Sequence, residues 1–145
     1  ICYTIDGLIE SGILLNETKY IKAGKKAADA LNDFYQNHSM LKGRFDKNWQ
    51  GFEYPILTGY AQLAVIWMKL HQLYPEGHYF KDAQSLNNQL SWLQLDDARF
   101  SNINGAIAGS FPIWGKYEPF TFPNWATKYF VDSLMMELQI MKQSL

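Results

Sequence analysis

Residues 58–74 have the sequence TGYAQLAVIWMKLHQLY, which is apolar on nearly every side as far as Lys69. A helix that is apolar all round is buried all round, because none of its faces is suited to water. We therefore predict a buried central helix over residues 58–74, and we interpret the rest of the chain as layers around it.

Four further segments carry helical periodicity. Residues 4–15 and 125–142 are strongly apolar, whereas residues 18–35 and 78–93 each combine one apolar stripe with one polar face. A helix with a single apolar stripe lies at the surface of a protein. The pattern predicts an all-α fold with almost no strand, in which the first, third and fifth helices are inner and the other two outer.

The connections between these helices alternate in length. Short turns follow the first and third helices, while the return connections, residues 36–57 and 94–124, are long and aromatic. A shift of 59 residues places residues 15–20 on residues 74–79 without a gap. We interpret the chain as a helical-hairpin repeat with its long loops at one end.

Inner and outer helices in alternation are typical of an α/α toroid, here an incomplete six-hairpin barrel. We expect residues 1–145 to form one such domain, cut from the C-terminal part of a longer chain, because Ile1 is not an initiator and no signal peptide follows it. Either the missing part precedes Ile1, or a second copy covers the exposed inner helices. Localisation cannot be read from this chain.

Composition excludes several classes of protein. The chain of 145 residues is 48% hydrophobic, so it can bury a core, and its net charge of -1 argues against a nucleic-acid partner. No apolar run approaches the roughly 18 residues that a membrane span requires. We therefore expect neither nucleic acid nor a membrane as a partner.

Metal and cofactor motifs are lacking in the sequence. Cys2 is the sole cysteine, which excludes an internal disulfide and a cysteine-based zinc site. His38, His71 and His78 do not form a ligand cluster. No phosphate loop and no dinucleotide fingerprint occurs, so we expect no metal and no cofactor.

Five longer motifs are the basis of a family resemblance: YTIDGLIESG, GRFD followed by Trp49, LTGYAQLAVIW, GSFPIWGKY and FPNWATKYF. With them, nearly the whole chain resembles an uncharacterised bacterial α/α-toroid family linked to polysaccharide metabolism, and the last two motifs are the most specific. The wider superfamily includes unsaturated glucuronyl hydrolases, heparinase-type lyases and sugar epimerases. The resemblance implies a toroid fold and a carbohydrate-active domain, without any assigned catalytic residue.

Some similar sequences carry a δ-aminolevulinic acid dehydratase label. That enzyme needs an α/β barrel and a Schiff-base lysine, and this chain has no alternating strands. The sequence does not support the label.

Three carboxylates are the catalytic candidates. Asp6 and Glu10 lie one turn apart on an otherwise apolar inner helix. Enzymes that break glycosidic bonds usually use two converging carboxylates. The helix dipole alone would also favour Asp6 in a first turn. Asp46 could act as an acid or base while Arg44 grips a substrate carboxylate. Alternatively, Arg44 and Asp46 pair with each other and pin their loop.

The amino ends of the inner helices are the predicted binding face. Unpaired N–H groups at a helix start suit carboxylate or phosphate groups. The structural alternative is that Thr4, Thr58 and Asn124 are simply N-caps.

The loop GSFPIWGKYEPFTFPNW, residues 109–125, places rigid rings near the same face. Glycines and prolines stiffen it, and flat rings suit the apolar faces of sugars. The alternative is that these rings plug the open end of the barrel. The predicted substrate-binding residues are Tyr3, Arg44, Trp49, Thr58, Gln62, Ser110, Trp114, Tyr117, Asn124, Trp125 and Lys128.

Three functions are compatible with these features. The first is a carbohydrate-active domain, of hydrolase or lyase type, in bacterial polysaccharide metabolism. The second is a non-catalytic module that binds a glycan or a protein. The third is an isoprenoid-type cyclase, for which Asp96-Asp97 is the one candidate aspartate motif. The expected partners are a saccharide or other small polar ligand, and the missing N-terminal part of the chain or a second copy.

Overall fold

The computed structural model describes residues 1–143 and is mostly helical. This part of the chain contains five α-helices: α1 (Cys2–Leu14), α2 (Thr18–His38), α3 (Leu57–Leu73), α4 (Tyr79–Leu93) and α5 (Asn124–Gln143). The predicted all-α class is confirmed, and each helix begins close to its predicted start. The last two residues of the predicted domain, Ser144 and Leu145, lie outside the described residues.

The two long connections contain short pieces of regular structure that the sequence did not predict. The first carries an antiparallel pair, β1 (Arg44–Phe45) and β2 (Gly51–Phe52), in which Arg44 lies opposite Phe52. The second carries one 3₁₀ turn at Ala98–Phe100. A strand of two residues is too short to show an alternating pattern, so periodicity could not have revealed it.

Helices α1 and α2 form a tightly packed antiparallel hairpin. A Cβ atom on Gly12 would lie 2.5 Å from Ile21 Cγ1, and one on Gly24 would lie 2.8 Å from Ile9 Cγ1. Glycine at both positions therefore lets the two backbones approach closely. The contacts run in opposite directions along the two helices, which makes the pair antiparallel.

Helices α2 and α4 run parallel, side by side. The Tyr79 hydroxyl donates to the Asp29 carboxylate, and Asn32 Nδ2 donates to Asp82 Oδ2 over 2.9 Å. Further along, the Tyr35 hydroxyl lies 2.6 Å from Ser85 Oγ. All three pairs are separated by 50 residues, which requires parallel helices. Because α1 forms a hairpin with α2, and α3 forms a hairpin with α4, α1 and α3 also run parallel to each other.

The direction of helix α5 follows from its contacts with α4. Gln84 Nε2 donates to Glu137 Oε1 over 3.0 Å, and Ser133 lies against Asn87, so α5 runs antiparallel to α4 and parallel to α3. Helices α1, α3 and α5 therefore all begin at one end of the molecule, beside the long connections.

Burial distinguishes α3 from its two neighbours. Ten residues of α3 are buried, against three in α1 and four in α5. Helix α3 is the most buried of the three, but the prediction that it is buried all round is correct only in part, because one face is half-buried at Gly59, Gln62, Val65 and Lys69. Helices α1 and α5 are buried on one side only. Among the described residues, each of them has helical neighbours on one flank. The other flank of α5 exposes Val131, Met135 and Leu138, and the last turn of α1 exposes Ile13 and Leu14.

Candidate functional site

A cavity of about 580 Å³ opens at the end of the molecule where α1 and α3 begin. The parallel course of the two helices brings their first turns together, so that Cys2 Sγ lies 3.7 Å from Gly59 O. The first long connection and one residue of the second close the remaining sides. The polar and aromatic lining residues include Tyr3, Lys42, Arg44, Phe45, Thr58, Tyr60, Gln62 and Tyr117.

Thr58 lines this cavity, but its hydroxyl oxygen is buried and does not open into it. The residue is only 5% exposed, and within the described chain its Oγ1 atom has no hydrogen-bond partner. One turn later, Gln62 Nε2 is also buried without a hydrogen bond of normal geometry. Leaving a buried polar group unpaired costs about 1–3 kcal/mol, so each such group in a folded protein needs an explanation.

The alternative interpretation of Thr58 as an N-cap is wrong. Ile56 occupies the N-cap of α3 and makes no side-chain capping bond, which places Thr58 inside the first turn. The same holds for Thr4, because the N-cap of α1 is Ile1. Thr58 is therefore free of the structural role that would otherwise account for its hydroxyl.

Tyr60 attaches the first long connection to α3. Its hydroxyl accepts a hydrogen bond from Leu41 N over 2.9 Å and donates one to Leu41 O over 3.2 Å. The side chain is 3% exposed, and burial raises the pKa of Tyr60 well above its usual value. This anchor sets the position of residues 41–45, which form one wall of the cavity.

Arg44 and Asp46 do not pair with each other, contrary to one of the two interpretations. Arg44 Nε lies 3.1 Å from Glu53 Oε2, across the β1–β2 hairpin. Asp46 Oδ1 instead accepts hydrogen bonds from Asn48 N and Gln50 N, over 2.8 and 2.9 Å. Arg44 therefore lines the cavity, while the Asp46 carboxylate is exposed and engaged in its own turn.

The second long connection is folded onto itself at Ser110. Its hydroxyl donates to Tyr117 O over 2.5 Å and accepts from Tyr117 N over 3.1 Å. A Cβ atom on Gly115 would lie 2.5 Å from Ser110 Cβ, so this tight fold requires glycine there. The fold directs Tyr117 to the cavity, and the Tyr117 hydroxyl accepts a hydrogen bond of 3.1 Å from Trp125 Nε1.

The loop rings are mostly exposed, so the interpretation that they plug the end of the barrel is wrong for the largest of them. Trp114 is 60% exposed and Phe120 is 70% exposed, and neither lines the cavity. Trp49 is half-buried against Phe45, at a ring distance of 6.2 Å, also outside the cavity lining. The loop is anchored by its backbone and by Ser110, which leaves these rings facing outward.

Asp6 and Glu10 converge, but on a lysine. Each has a carboxylate oxygen 2.6 Å from Lys69 Nζ. Burial lowers the pKa of Lys69, but the hydrogen bonds that Lys69 donates to the two carboxylates outweigh this effect and hold its pKa above the usual value. Asp6 also lines a hollow of about 20 Å³ beside the cavity, together with Tyr3, Gln62 and Tyr129 among others.

Tyr129 connects α5 to this region. Its ring meets the Tyr3 ring edge-on, with centroids 6.0 Å apart. A hydrogen bond with Tyr3, and then burial, raise the pKa of Tyr129, while the neighbouring Gln62 amide acts in the opposite direction. The three helices α1, α3 and α5 thus meet at Tyr3, Gln62 and Tyr129.

Three other predicted binding residues lie elsewhere. Lys128 is paired with Asp132 Oδ2 over 2.5 Å, and Asn124 and Trp125 are exposed at the start of α5 without lining the cavity. For the cyclase hypothesis, Asp97 is bound by Arg99 in the second connection and does not line the cavity either.

The structure therefore brings five of the predicted residues together in the cavity lining: Tyr3, Arg44, Thr58, Gln62 and Tyr117. Lys42 and Tyr60 were missed. The position of Lys42, two residues before Arg44, was an available signal. Nothing in the sequence indicated that Tyr60 would bind the Leu41 backbone.

Within residues 1–143, no helix is long and apolar enough to cross a bilayer, and no three or more histidine, cysteine or acidic side chains lie together where they could hold a metal ion. Comparisons of the chain with protein-family models, curated proteins and solved structures find no match.

Proposed function

We propose that the chain is a saccharide-binding domain built as part of an α/α toroid, and that its ligand occupies the 580 Å³ cavity. The observation that carries the proposal is a cavity of ligand size whose lining combines aromatic rings with polar and cationic side chains. Sites for small molecules typically enclose about 300–1,000 Å³ and combine apolar walls with a few polar groups.

The toroid part of the proposal is supported by helix direction. Helices α1, α3 and α5 run parallel, the intervening helices run the opposite way, and both long connections lie at one end. The ends of α1 and α3, at Leu14 and Leu73, repeat the 59-residue shift found in the sequence. The apolar flanks of α1 and α5 are where further helices of a closed ring would pack.

The saccharide part of the proposal is supported by the kind of surface in the cavity. Tyr3, Phe45 and Tyr117 contribute aromatic rings to the lining, and Lys42 and Arg44 contribute hydrogen-bond donors. A sugar has apolar faces and a rim of hydroxyl groups, so it needs both kinds of contact.

The geometry favours binding over two-carboxylate hydrolysis in this cavity. Within the described chain, no aspartate or glutamate lines it. Asp6 and Glu10 share Lys69, and Asp46 caps its own turn. A catalytic version of the proposal, of hydrolase or lyase type, draws on Asp6, because that carboxylate lies beside Tyr3 and Gln62 in the adjacent hollow.

A matched pair of glycine variants tests the binding proposal. Neither Gly59, in the cavity wall, nor Gly7, on the outside of α1, has an atom within 4 Å of an added Cβ. Gly59→Leu would fill part of the cavity without a clash at Cβ, whereas Gly7→Leu would leave the cavity unchanged. We expect an oligosaccharide array to show ligands for the parent and for Gly7→Leu, and none for Gly59→Leu.

Thermal unfolding of both variants would check that they remain folded. Equal glycan binding by Gly59→Leu and the parent would exclude this cavity as the site. For the catalytic version, products released from a bound oligosaccharide by the parent, but not by Asp6→Asn, are the expected result. Binding without turnover would leave the non-catalytic form of the proposal.

A further inference from the structure

The segment of residues 42–54, which we call the flap, consists of β1, β2, the turn between them and the residues that flank them. Its first four residues line the cavity, and none of its described side chains is buried. The chain is fixed at both ends of the flap, because Leu41 and Pro55 are buried, Tyr60 binds the Leu41 backbone, and Pro55 O accepts a hydrogen bond of 3.1 Å from Phe111 N. A segment with few buried contacts between two fixed ends opens at low cost.

The flap holds its own turn together and has a small contact with the helices. Asp46 N donates to Gln50 O over 3.1 Å, and Asp46 Oδ1 accepts from Gln50 N. The Phe45 ring meets the half-buried Phe34 ring of α2 edge-on, with centroids 4.9 Å apart. Gly51 also lies on Phe34, since a Cβ atom there would be 2.8 Å from Phe34 Cζ. Movement of the flap away from Phe34 therefore leaves the hydrogen bonds of its turn intact.

Glu53 joins the flap to the second long connection. Its Oε2 atom lies 3.1 Å from Arg44 Nε, and its Oε1 atom lies 3.7 Å from Lys116 Nζ. Arg44 lines the cavity from the flap, and Tyr117, the neighbour of Lys116, lines it from the second connection. One carboxylate therefore ties together the two loops that enclose the cavity.

The backbone of the flap is strained at this residue. Glu53 has a φ of 66° and Trp49 a φ of 59°, in the left-handed region that residues other than glycine adopt only where their surroundings hold them there. The Glu53 side chain is 21% exposed, whereas its partners Arg44 and Lys116 are 65% and 74% exposed. Ion pairs with such exposed partners are individually weak and are screened by salt. The restraint on the flap is therefore one that a small change can release.

We propose that the flap is a movable wall of the cavity and that the two ion pairs of Glu53 hold it closed. When both pairs break, the flap lifts away from Phe34 about its fixed ends at Leu41 and Pro55, and the mouth of the cavity widens. The use of this movement to admit a saccharide rests on the function proposed above. The movement itself can be measured without any ligand.

Cys2 is a probe of the mouth, because it is the sole cysteine and lines the cavity. Its alkylation would be timed with two neutral reagents, the small iodoacetamide and the bulky N-(1-pyrenyl)maleimide. Burial raises the pKa of the Cys2 thiol to about 11, which slows both reagents alike, so the ratio of the bulky rate to the small rate reports the width of the mouth. We expect Glu53→Gln to raise this ratio about threefold or more. Glu118→Gln, which makes the same change of charge at an exposed position of the second connection, is the matched control and should leave the ratio unchanged.

Salt gives a second test that needs no substitution. Because salt screens the pairs of Glu53, we expect the ratio of the parent to rise in high salt toward that of Glu53→Gln, and the ratio of Glu53→Gln to stay constant. A ratio that is the same in the parent, Glu53→Gln and Glu118→Gln at low and high salt would overturn the inference. Equal acceleration of both reagents by Glu53→Gln would also overturn it, since that result reports a general loosening of the fold and not a wider mouth.

A mixture of short neutral and uronate oligosaccharides, added to the same assay, separates this inference from the function on which it rests. Protection of Cys2 by the mixture, together with a ratio that does not respond to Glu53→Gln, overturns the movable flap and leaves the saccharide site in place. A ratio that responds to Glu53→Gln, without protection by the mixture, supports the movable flap and overturns the saccharide proposal.

Discussion

Thr58 and Tyr60 lie on the same turn of α3, are almost equally buried, and have opposite hydrogen-bonding states. The Tyr60 hydroxyl makes two hydrogen bonds to Leu41, whereas Thr58 Oγ1 makes none within the described chain. The first is a structural anchor, and the second is a buried hydroxyl without a partner, so burial alone does not show which hydroxyl is paired. Only the path of residues 41–45 distinguishes the two, because that segment reaches Tyr60 and not Thr58.

Removing the Tyr60 hydroxyl tests the anchor. We expect Tyr60→Phe to lower the free energy of unfolding by about 1–3 kcal/mol at pH 7, because Leu41 N and O lose their partner. The folded-state pKa of Tyr60 is raised, so its contribution is fully present below the unfolded value of about 10 and is lost as pH rises through the folded value. Urea unfolding from pH 7 to 11 should show the gap between parent and variant closing above pH 10. A gap that stays constant over this range would contradict the assignment.

Lys69 holds the inner faces of α1 and α3 together. Lys69→Met leaves Asp6 and Glu10 without a cation, and we expect it to cost about 1–2 kcal/mol, less than for a fully buried pair, because both carboxylates are more than a third exposed. Lys128→Met, which breaks the more exposed pair with Asp132, is the control and should cost less than Lys69→Met. Urea unfolding at pH 7 measures both, and equal effects would rule out a special role for Lys69.

Among the elements, the α1–α2 hairpin depends on glycine and the α2–α4 pair on polar side chains. Asn32 and Asp82 are 2% and 6% exposed, although both lie on helices predicted to be outer. Asp82 accepts hydrogen bonds from both Asn32 and Gln36. Part of the polar face that was predicted to face water therefore forms the contact between α2 and α4. An amphipathic sequence pattern does not distinguish a polar face in water from a polar face that packs against a neighbouring helix.

The α1–α2 contact can be tested with two glycines of one helix. Gly12→Ala would place a Cβ atom 2.8 Å from the Ile21 backbone nitrogen, and we expect it to lower the free energy of unfolding by about 1–3 kcal/mol. Gly7→Ala meets no atom within 4 Å and should instead stabilise α1 by roughly 0.5–1 kcal/mol. Thermal or urea unfolding compares them, and stabilisation by both would show that the helices separate easily.

Across the whole molecule, α1 and α5 lie at the two edges of the helical packing. Within the described chain, neither of them has a neighbouring helix on its outer side. The uncovered flank of α5 exposes Val131, Met135 and Leu138, which are 47%, 65% and 56% exposed. The uncovered end of α1 exposes Ile13 and Leu14. Apolar side chains that lie together on a helix mark a surface that other protein covers.

We predict that this chain, prepared alone, self-associates through these flanks. Sedimentation measured over a range of concentrations should show an average mass that rises with concentration above the monomer mass of 16.8 kDa. Replacing Met135 and Leu138 by lysine should abolish the increase, whereas lysine at Gln139, exposed on the same helix, should not. A parent that remains monomeric at high concentration would contradict the prediction.

The number, order and approximate bounds of the helices, and the deep burial of α3, could be predicted from the amino-acid pattern alone. These are set by local spacing of apolar residues and by breakers, which are visible along the chain. The pattern also indicated Tyr3, Arg44, Thr58, Gln62 and Tyr117 as residues of the loop end, because helix starts and loops lie there in any hairpin repeat.

Which polar groups already have hydrogen-bond or ionic partners became clear only from the folded chain. Asp6 and Glu10 are paired with Lys69, Asp46 is used by its own turn, and Thr58 is left free, all through contacts between segments far apart in sequence or through backbone geometry. A polar side chain has the same chemistry in each case. Its availability to a ligand depends on which neighbours the folded chain brings within about 3 Å of it.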